Sequence, residues 1–220
     1  MDWTGPIDAY CERLAPGLLA EPLNALSNLA FFVAAAYGLA IARRERSDRA
    51  VWLLACLVGV IGLGSLLFHT FANRWSMLAD VVPITIFIYA YFAFGLRRFL
   101  GLTWPLTVLL LGALLAANVA LAVWTPPGLL NGSISYLPAL LAAIAMALAL
   151  RSRDHPAHVH LTAAAITFAF SLAFRTADRV VCHAVPTGTH FVWHLLNALV
   201  LGLYLEAAAR FGGYHAPKTN

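Results

Sequence analysis

The sequence predicts an all-α integral membrane protein, a bundle of seven transmembrane helices with its N-terminus outside and its C-terminus in the cytoplasm. Three observations carry this. Of 220 residues, 61% are hydrophobic and only 11% are charged, against roughly 45–50% and about 25% in soluble domains. The apolar residues fall into seven runs, each close to the ~20 residues that cross a hydrocarbon core as a helix. The basic residues collect in alternate loops. A chain this apolar cannot hide its surface in a soluble fold of this size, which excludes soluble, disordered and nucleic-acid-binding classes. The formal charge of +4 is a loop property, not a polyanion-binding one.

Residues 1–21 read as an outer N-terminal segment, acidic and aromatic, without a basic stretch before an apolar core. No cleavable leader is expected, so the first span directs insertion. The spans follow at about 22–42, 50–73, 76–96, 103–124, 133–150, 157–177 and 188–209. Breaks fall at RRERSD (43–48), RRFLG (97–101), TPPGLLNG (125–132), RSRDHP (151–156) and VPTG (185–188), the charge and Pro/Gly signals of short loops. Residues 210–220 are left as a tail. The whole chain, 1–220, is one membrane domain without extramembrane modules, and no internal repeat stands out.

Orientation follows from the cations. Arg43, Arg44, Arg46, Arg49, Arg97, Arg98, Arg151, Arg153, Arg210 and Lys218 lie on one side, Arg13, Arg74, Arg175 and Arg179 on the other. The positive-inside rule places the first set in the cytoplasm. Cys11, Cys56 and Cys182 are scattered, with no CxxC pair, and no disulfide framework is expected.

Ionisable groups inside spans are costly, and each marks a functional-site hypothesis. The second span ends Ser65-Leu-Leu-Phe-His69, the third contains Asp80-Val-Val-Pro83, and the seventh opens His190-Phe-Val-Trp193-His194. Residues four apart share a helix face, so His190 and His194 can aim at one point, as can Ser65 and His69. All lie near the outer ends of their spans. A lone histidine at a helix end is ordinarily hydrogen-bonded or interfacial, Asp80 alone reads as a helix cap, and Ser65 as a small packing residue. The coincidence of three imidazoles, a carboxylate and a hydroxyl at one depth points instead to a shared site. Three imidazoles with an open fourth position form a catalytic zinc arrangement, and Asp80 is the nearest carboxylate to move a proton.

A second polar group lies before the first span and at its start: Asp2, Asp8, Glu12, Glu21 and Asn24, with Ser27 and Asn28. Carboxylate and amide oxygens suit a hard cation such as calcium, although the same residues also serve as helix caps. Arg175 and Asp178, one turn apart, read as a local ion pair, or else as orienting groups for the last span. His155, His158 and His160 read as a solvated surface cluster, His183 as a loop residue, His215 as part of the polar tail, and Glu206 as interfacial.

Taken together, Tyr10-Cys11-Glu12, Glu21-x-x-Asn24-x-x-Ser27-Asn28-Leu29, Ser65-x-x-Phe68-His69, Asp80-x-x-Pro83, Phe174-x-x-x-Asp178-x-x-x-Cys182 and His190-x-x-Trp193-His194 resemble the alkaline ceramidase family of seven-helix membrane amidases. That family lies in the CREST superfamily with the adiponectin-receptor-like proteins. The resemblance runs nearly end to end. It implies zinc held by His69, His190 and His194, proton transfer by Asp80, oxyanion stabilisation by Ser65, and calcium drawing on Glu12 and Glu21, with Asp8 and Asn24 less closely matched. It implies cleavage of ceramide, or a related N-acyl lipid, to a fatty acid and a long-chain amine. The chain departs from the eukaryotic members at Val81, where they are acidic, and at Arg175, where they carry tryptophan. Its short loops are similar to those of a bacterial member, implying a cell-membrane location and a membrane lipid as sole partner. Two other readings remain at this point. One is an adiponectin-receptor-like protein or another CREST-type hydrolase, whose inverted topology the Lys/Arg distribution opposes. The other is a transporter with a His/Asp relay, which clustering at one end and the lack of a repeat oppose.

Overall fold

The structure is a computed structural model that describes residues 2–15, 17–126 and 128–213. His215, Lys218 and most of the expected tail lie outside the described residues. The described chain is helical, with no strand; a single isolated bridge pairs Pro6 with Asn73. Among the described residues, seven helices are long and apolar enough to cross a membrane: Pro22–Arg44, Arg49–Phe71, Arg74–Arg98, Trp104–Trp124, Leu129–Arg151, His158–Val181 and His190–Phe211. These match the apolar runs to within a few residues at each end.

Two spans carry irregularities that hydropathy does not report. The first is divided at Asn28 into a short α1 (Pro22–Ser27) and α2 (Leu29–Arg44). The fifth opens with a 3-10 turn, Leu129–Tyr136, with left-handed backbone at Leu130, Asn131 and Gly132, before α6 (Leu137–Arg151). The remaining spans are α3 (Arg49–Phe71), α4 (Arg74–Arg98), α5 (Trp104–Trp124), α7 (His158–Val181) and α8 (His190–Phe211). Arg210, expected in the tail, belongs to the last turn of α8 and pairs with Glu206 at 2.8 Å.

Each span packs on the next in chain order, and α8 returns to α2, so the ring closes; α3 also touches α8 across it. That contact is what brings His69 to the helix carrying His190 and His194. Small residues make the approach close: Ala34, Ala35, Ala42 and Ala55 are buried with Phe31, Val58, Ile61 and Leu205 in the main core. Small side chains are how helices come together in lipid, where burial of apolar area no longer drives association. By contrast α5 buries only Thr107 and Leu114 and presents the rest of its apolar surface outward.

The packing of α3 on α4 follows from two residues. Pro83 has no N–H for the carbonyl four residues earlier, that of Ala79. Gly64 packs against that same carbonyl: a Cβ at position 64 would stand 2.0 Å from the Ala79 oxygen and 3.2 Å from the Asp80 Cα. The helices therefore meet backbone to backbone, which sets Asp80 beside Ser65.

Candidate metal centre

His69, His190 and His194 are all buried, and they bring one ligand nitrogen each to within 4.8 Å of one another. Among the described residues they form the one group of His, Cys, Asp or Glu able to hold a metal ion. Ring centroids lie 4.7 Å apart for His69 and His194, 4.5 Å for His190 and His194, and 5.2 Å for His69 and His190.

Two of the rings have their tautomer fixed by an outer partner. His69 Nδ1 lies 2.6 Å from Glu21 Oε2. A carboxylate only accepts, so Nδ1 carries the proton and Nε2 keeps its lone pair. His194 Nδ1 lies 2.7 Å from Ser27 Oγ. The Ser27 hydroxyl donates its single proton to the Asn24 carbonyl at 2.8 Å. Toward His194 it must therefore accept, and the same tautomer follows. Both Nε2 atoms are buried without a hydrogen-bond partner, as is His190 Nδ1. Buried polar atoms rarely stay orphaned, and converging lone pairs from three neutral imidazoles are the donor set of a metal ion. Such outer partners orient the ligands and raise their basicity.

The His190 ring is held by stacking. Tyr10 lies 3.6 Å from it and Trp193 5.1 Å, both nearly parallel to it. Ser65 Oγ and Asp80 Oδ1 are likewise buried and without partners among the described residues, and Asp80 lies within electrostatic reach of His69. All five residues singled out for the site thus assemble on α3, α4 and α8.

The acidic group before α1 is engaged in hydrogen bonds and one ion pair. Asp8 is exposed. Glu12 accepts the backbone N–H groups of Leu23 and Asn24 at 2.6 and 2.8 Å. Glu21 is 1% exposed; it accepts from His69 and from Asn24 Nδ2, and pairs with Arg13 Nε at 2.6 Å. Burial works against the Glu21 carboxylate, but the bonds from His69 and Arg13 outweigh it and hold its pKa below the usual value.

Three sequence expectations are corrected. Cys11 and Cys182 form a disulfide, although no framework was expected. Folding brings the N-terminal segment against the end of α7, a proximity that a separation of 171 residues conceals. Arg175 and Asp178 do not pair. Asp178 is wholly buried and accepts three backbone N–H groups, from Cys11 at 3.1 Å, Thr189 at 2.7 Å and His190 at 2.9 Å, donors with no other partner so far from water. It thereby pins the start of α8, the orienting alternative. Arg175 instead donates to Tyr10 Oη at 2.9 Å and lies over the rings of Tyr10, Tyr136 and Trp193 at 5.7, 5.5 and 5.2 Å. His155 is not solvated: it is buried, accepts from the Ala157 N–H at 3.2 Å, and packs on Phe99.

Sequence reading named Ser27 and Arg13 but assigned neither to the histidine site. Ser27 carried a signal, a polar residue three positions after Asn24 on the first span. Arg13 carried one too, a cation inside an otherwise acidic segment.

Beyond Trp193 an apolar cavity runs down the inside of the bundle, lined by Phe31, Phe87, Tyr136, Met146, Trp193 and Tyr204 among others. From Trp193 to Tyr204 is eleven residues of α8, about 16 Å at 1.5 Å per residue. A buried polar site with an apolar cavity one residue away along α8, at Trp193, suits a lipid with a polar head and an apolar tail.

Fold and site together define a seven-helix membrane protein with a buried three-histidine centre and, beside it, an apolar cavity lined in part by Trp193. The model of the Ceramidase family matches residues 7–210, and the chain belongs to that family. It is therefore a hydrolase acting on the amide bond of ceramide, embedded in the membrane where its lipid substrate resides. Comparison with curated proteins gives no match.

Proposed function

We propose that the protein is a zinc-dependent intramembrane amidase that cleaves ceramide to a fatty acid and a sphingosine-like amine. The observation that supports it best is the set of converging, unpartnered imidazole nitrogens on two rings whose far nitrogens are pinned by Glu21 and Ser27. Three neutral nitrogen donors with an open position suit zinc. His69, His190 and His194 would hold it. When bound there, zinc supplies Lewis-acid chemistry, acidifying water and polarising the amide carbonyl.

Asp80 takes the proton from the attacking water and returns it to the amide nitrogen as the C–N bond breaks, which releases the amine neutral. Its Oδ1 has no competing partner among the described residues, which leaves it available for that proton. Ser65 Oγ donates to the oxygen that gains charge in the tetrahedral intermediate. Losing one such donor typically lowers the rate about 100- to 1,000-fold. The acyl chain lies in the cavity below Trp193, where desolvation costs nothing, and the head group stays beside Asp80.

Two observations support an outside N-terminus: the Lys/Arg distribution of the loops, and a disulfide on the N-terminal side of the membrane, since disulfides persist in oxidising compartments. A reporter fused to the C-terminus is then expected in the cytoplasm of a bacterial host. The short-looped chain fits a cell-membrane location.

The test is mass-spectrometric detection of fatty acid released from a panel of ceramides and other N-acyl lipids by the purified protein. Wild type, chelator-treated protein, His194→Ala and Asp80→Asn are compared. Release is expected from wild type alone, with Asp80→Asn still holding one zinc per chain. Full turnover by Asp80→Asn would remove the proton-transfer role; full turnover after zinc removal would remove the metal.

A further inference from the structure

The place expected for calcium is filled. Calcium needs six to eight oxygens. Glu21 has committed Oε1 to Arg13 and Oε2 to His69 and Asn24. Glu12 has committed both oxygens to backbone N–H groups. Asp8 is exposed. Of these four candidates only the Asn24 side-chain oxygen is buried without a partner. What stands against the Glu21 carboxylate is a guanidinium: the Arg13 side chain is 7% exposed, and its Nε lies 2.6 Å from Oε1.

We infer that Arg13 is the built-in cation of this site: its guanidinium takes the role of a calcium ion against Glu21, and through Glu21 it fixes His69 as a metal ligand without calcium. The chain is short and continuous, Arg13 Nε to Glu21 Oε1 at 2.6 Å and Glu21 Oε2 to His69 Nδ1 at 2.6 Å. A carboxylate gripped on one oxygen by a fixed cation cannot rotate away from the imidazole on the other. Arg13 is thus a positioning residue that acts through Glu21 and touches neither metal nor substrate. The inference rests on His69 being a metal ligand, as proposed above.

The experiment uses the full-length protein in detergent micelles. Zinc affinity is read by competition with a chromophoric chelator, bound zinc and calcium by elemental mass spectrometry, and thermal unfolding with and without zinc. Wild type should carry zinc and no stoichiometric calcium. Its zinc affinity and melting temperature should not change between millimolar calcium and EGTA. Arg13→Gln, which keeps a nitrogen donor at the position of Nε but drops the charge and the rest of the guanidinium, should lose zinc affinity about 10- to 100-fold, with zinc-free unfolding near that of wild type. Arg13→Lys should recover most of the affinity.

Stoichiometric calcium in wild type, EGTA-sensitive zinc binding, or zinc affinity unchanged in Arg13→Gln would each overturn the inference. Equal destabilisation of the zinc-free and zinc-loaded variant would reduce Arg13 to a structural tether and overturn it too. Should Arg13→Gln not fold, the wild-type calcium arms and Arg13→Lys decide. Lipid hydrolysis is not read. A wild type that binds zinc but cleaves no amide would sink the amidase reading and leave this one standing, whereas a wild type without zinc would sink the metal assignment beneath both.

Discussion

Replacing Asp178 tests whether a single buried carboxylate holds the helix that carries His190 and His194 to the rest of the bundle. The Asp178 carboxylate accepts the N–H groups of Thr189 and His190 on Oδ1 and of Cys11 on Oδ2. Hydrogen bonds to a charged group are worth about 1.5–3 kcal/mol each, and a buried donor left unpaired costs about 1–3 kcal/mol. Asp178→Ala removes three acceptor contacts at once, so a loss of roughly 4–6 kcal/mol is expected after partial relaxation. At about 2–4 °C per kcal/mol for a chain of this size, unfolding should fall by roughly 10–20 °C. Asp178→Asn is the sharper probe. An amide has one oxygen, and it will stay with the paired donors of Thr189 and His190, turning its NH2 toward the Cys11 N–H. One bond is lost, two are weakened, and about 2–3 kcal/mol should go. Gly188→Ala should resemble the alanine variant, since a Cβ there would stand 2.0 Å from Asp178 Oδ1 and the backbone has a φ of +64°. The assay is thermal unfolding followed by tryptophan fluorescence in a fixed detergent, with zinc content measured alongside. If Asp178→Ala unfolds within a degree or two of wild type, the carboxylate does not anchor α8 and the reasoning fails.

Ser27→Ala should leave the fold intact and lower zinc affinity about 10- to 100-fold, because His194 loses the acceptor that fixes its tautomer; chelator competition measures this. Gly64→Ala must push α3 and α4 apart, because a Cβ meets the Ala79 carbonyl at 2.0 Å. A displacement of about 1 Å at a reacting site can lower turnover about 100-fold, so ceramide hydrolysis should collapse while Gly112→Ala, which meets nothing, stays at wild-type rate. Burial holds the pKa of His155 below its usual 6.5, and its Nδ1 accepts a backbone N–H that a charged ring would repel. The unfolded chain therefore binds this proton more readily, and stability must fall as pH drops below about 6.5. Thermal scans of His155→Gln against wild type should show a shallower slope in that range.

What the sequence disclosed depended on whether a feature was periodic or rested on distant proximity. Spans were legible because twenty apolar residues have one reading in a bilayer. His69, Ser65, Asp80, His190 and His194 were legible because a polar group in a span needs a reason, and helical spacing put them on shared faces. Residues 2–21 gave no such handle. Neither span periodicity nor turn spacing constrains an extended segment, so the pairing of Cys11 with Cys182 and of Arg13 with Glu21 depended on where folding laid that segment. The Arg175–Asp178 expectation failed for a related reason. Proximity along one helix was weighed, while the backbone donors of Thr189, His190 and Cys11, which arrive from elsewhere in the chain, were not.

That same segment explains why the site is closed where hydropathy suggests it should be open. The histidines lie near the ends of α3 and α8, on the side of the bundle where the N-terminal segment packs, yet His69, His190 and His194 are no more than 1% exposed. The segment crosses above them and is fastened to each helix that supplies a site residue. It meets the α3–α4 junction through Ile7 N–H to the Ala72 carbonyl and Trp75 N–H to the Trp3 carbonyl. It meets α7 through Cys182 and Asp178, and α8 through Tyr10 stacked on His190. A lipid approaching from the aqueous side meets this cover rather than the nitrogens. Reaching the three imidazoles without breaking the disulfide and those bonds requires entry from the bilayer, tail along the cavity and amide last. Cleavage of a long-chain ceramide should therefore persist when Cys11 and Cys182 stay oxidised. A soluble short-chain analogue, which gains little from the cavity, should be a much poorer substrate, and equal rates for the two would argue that the cover opens to water.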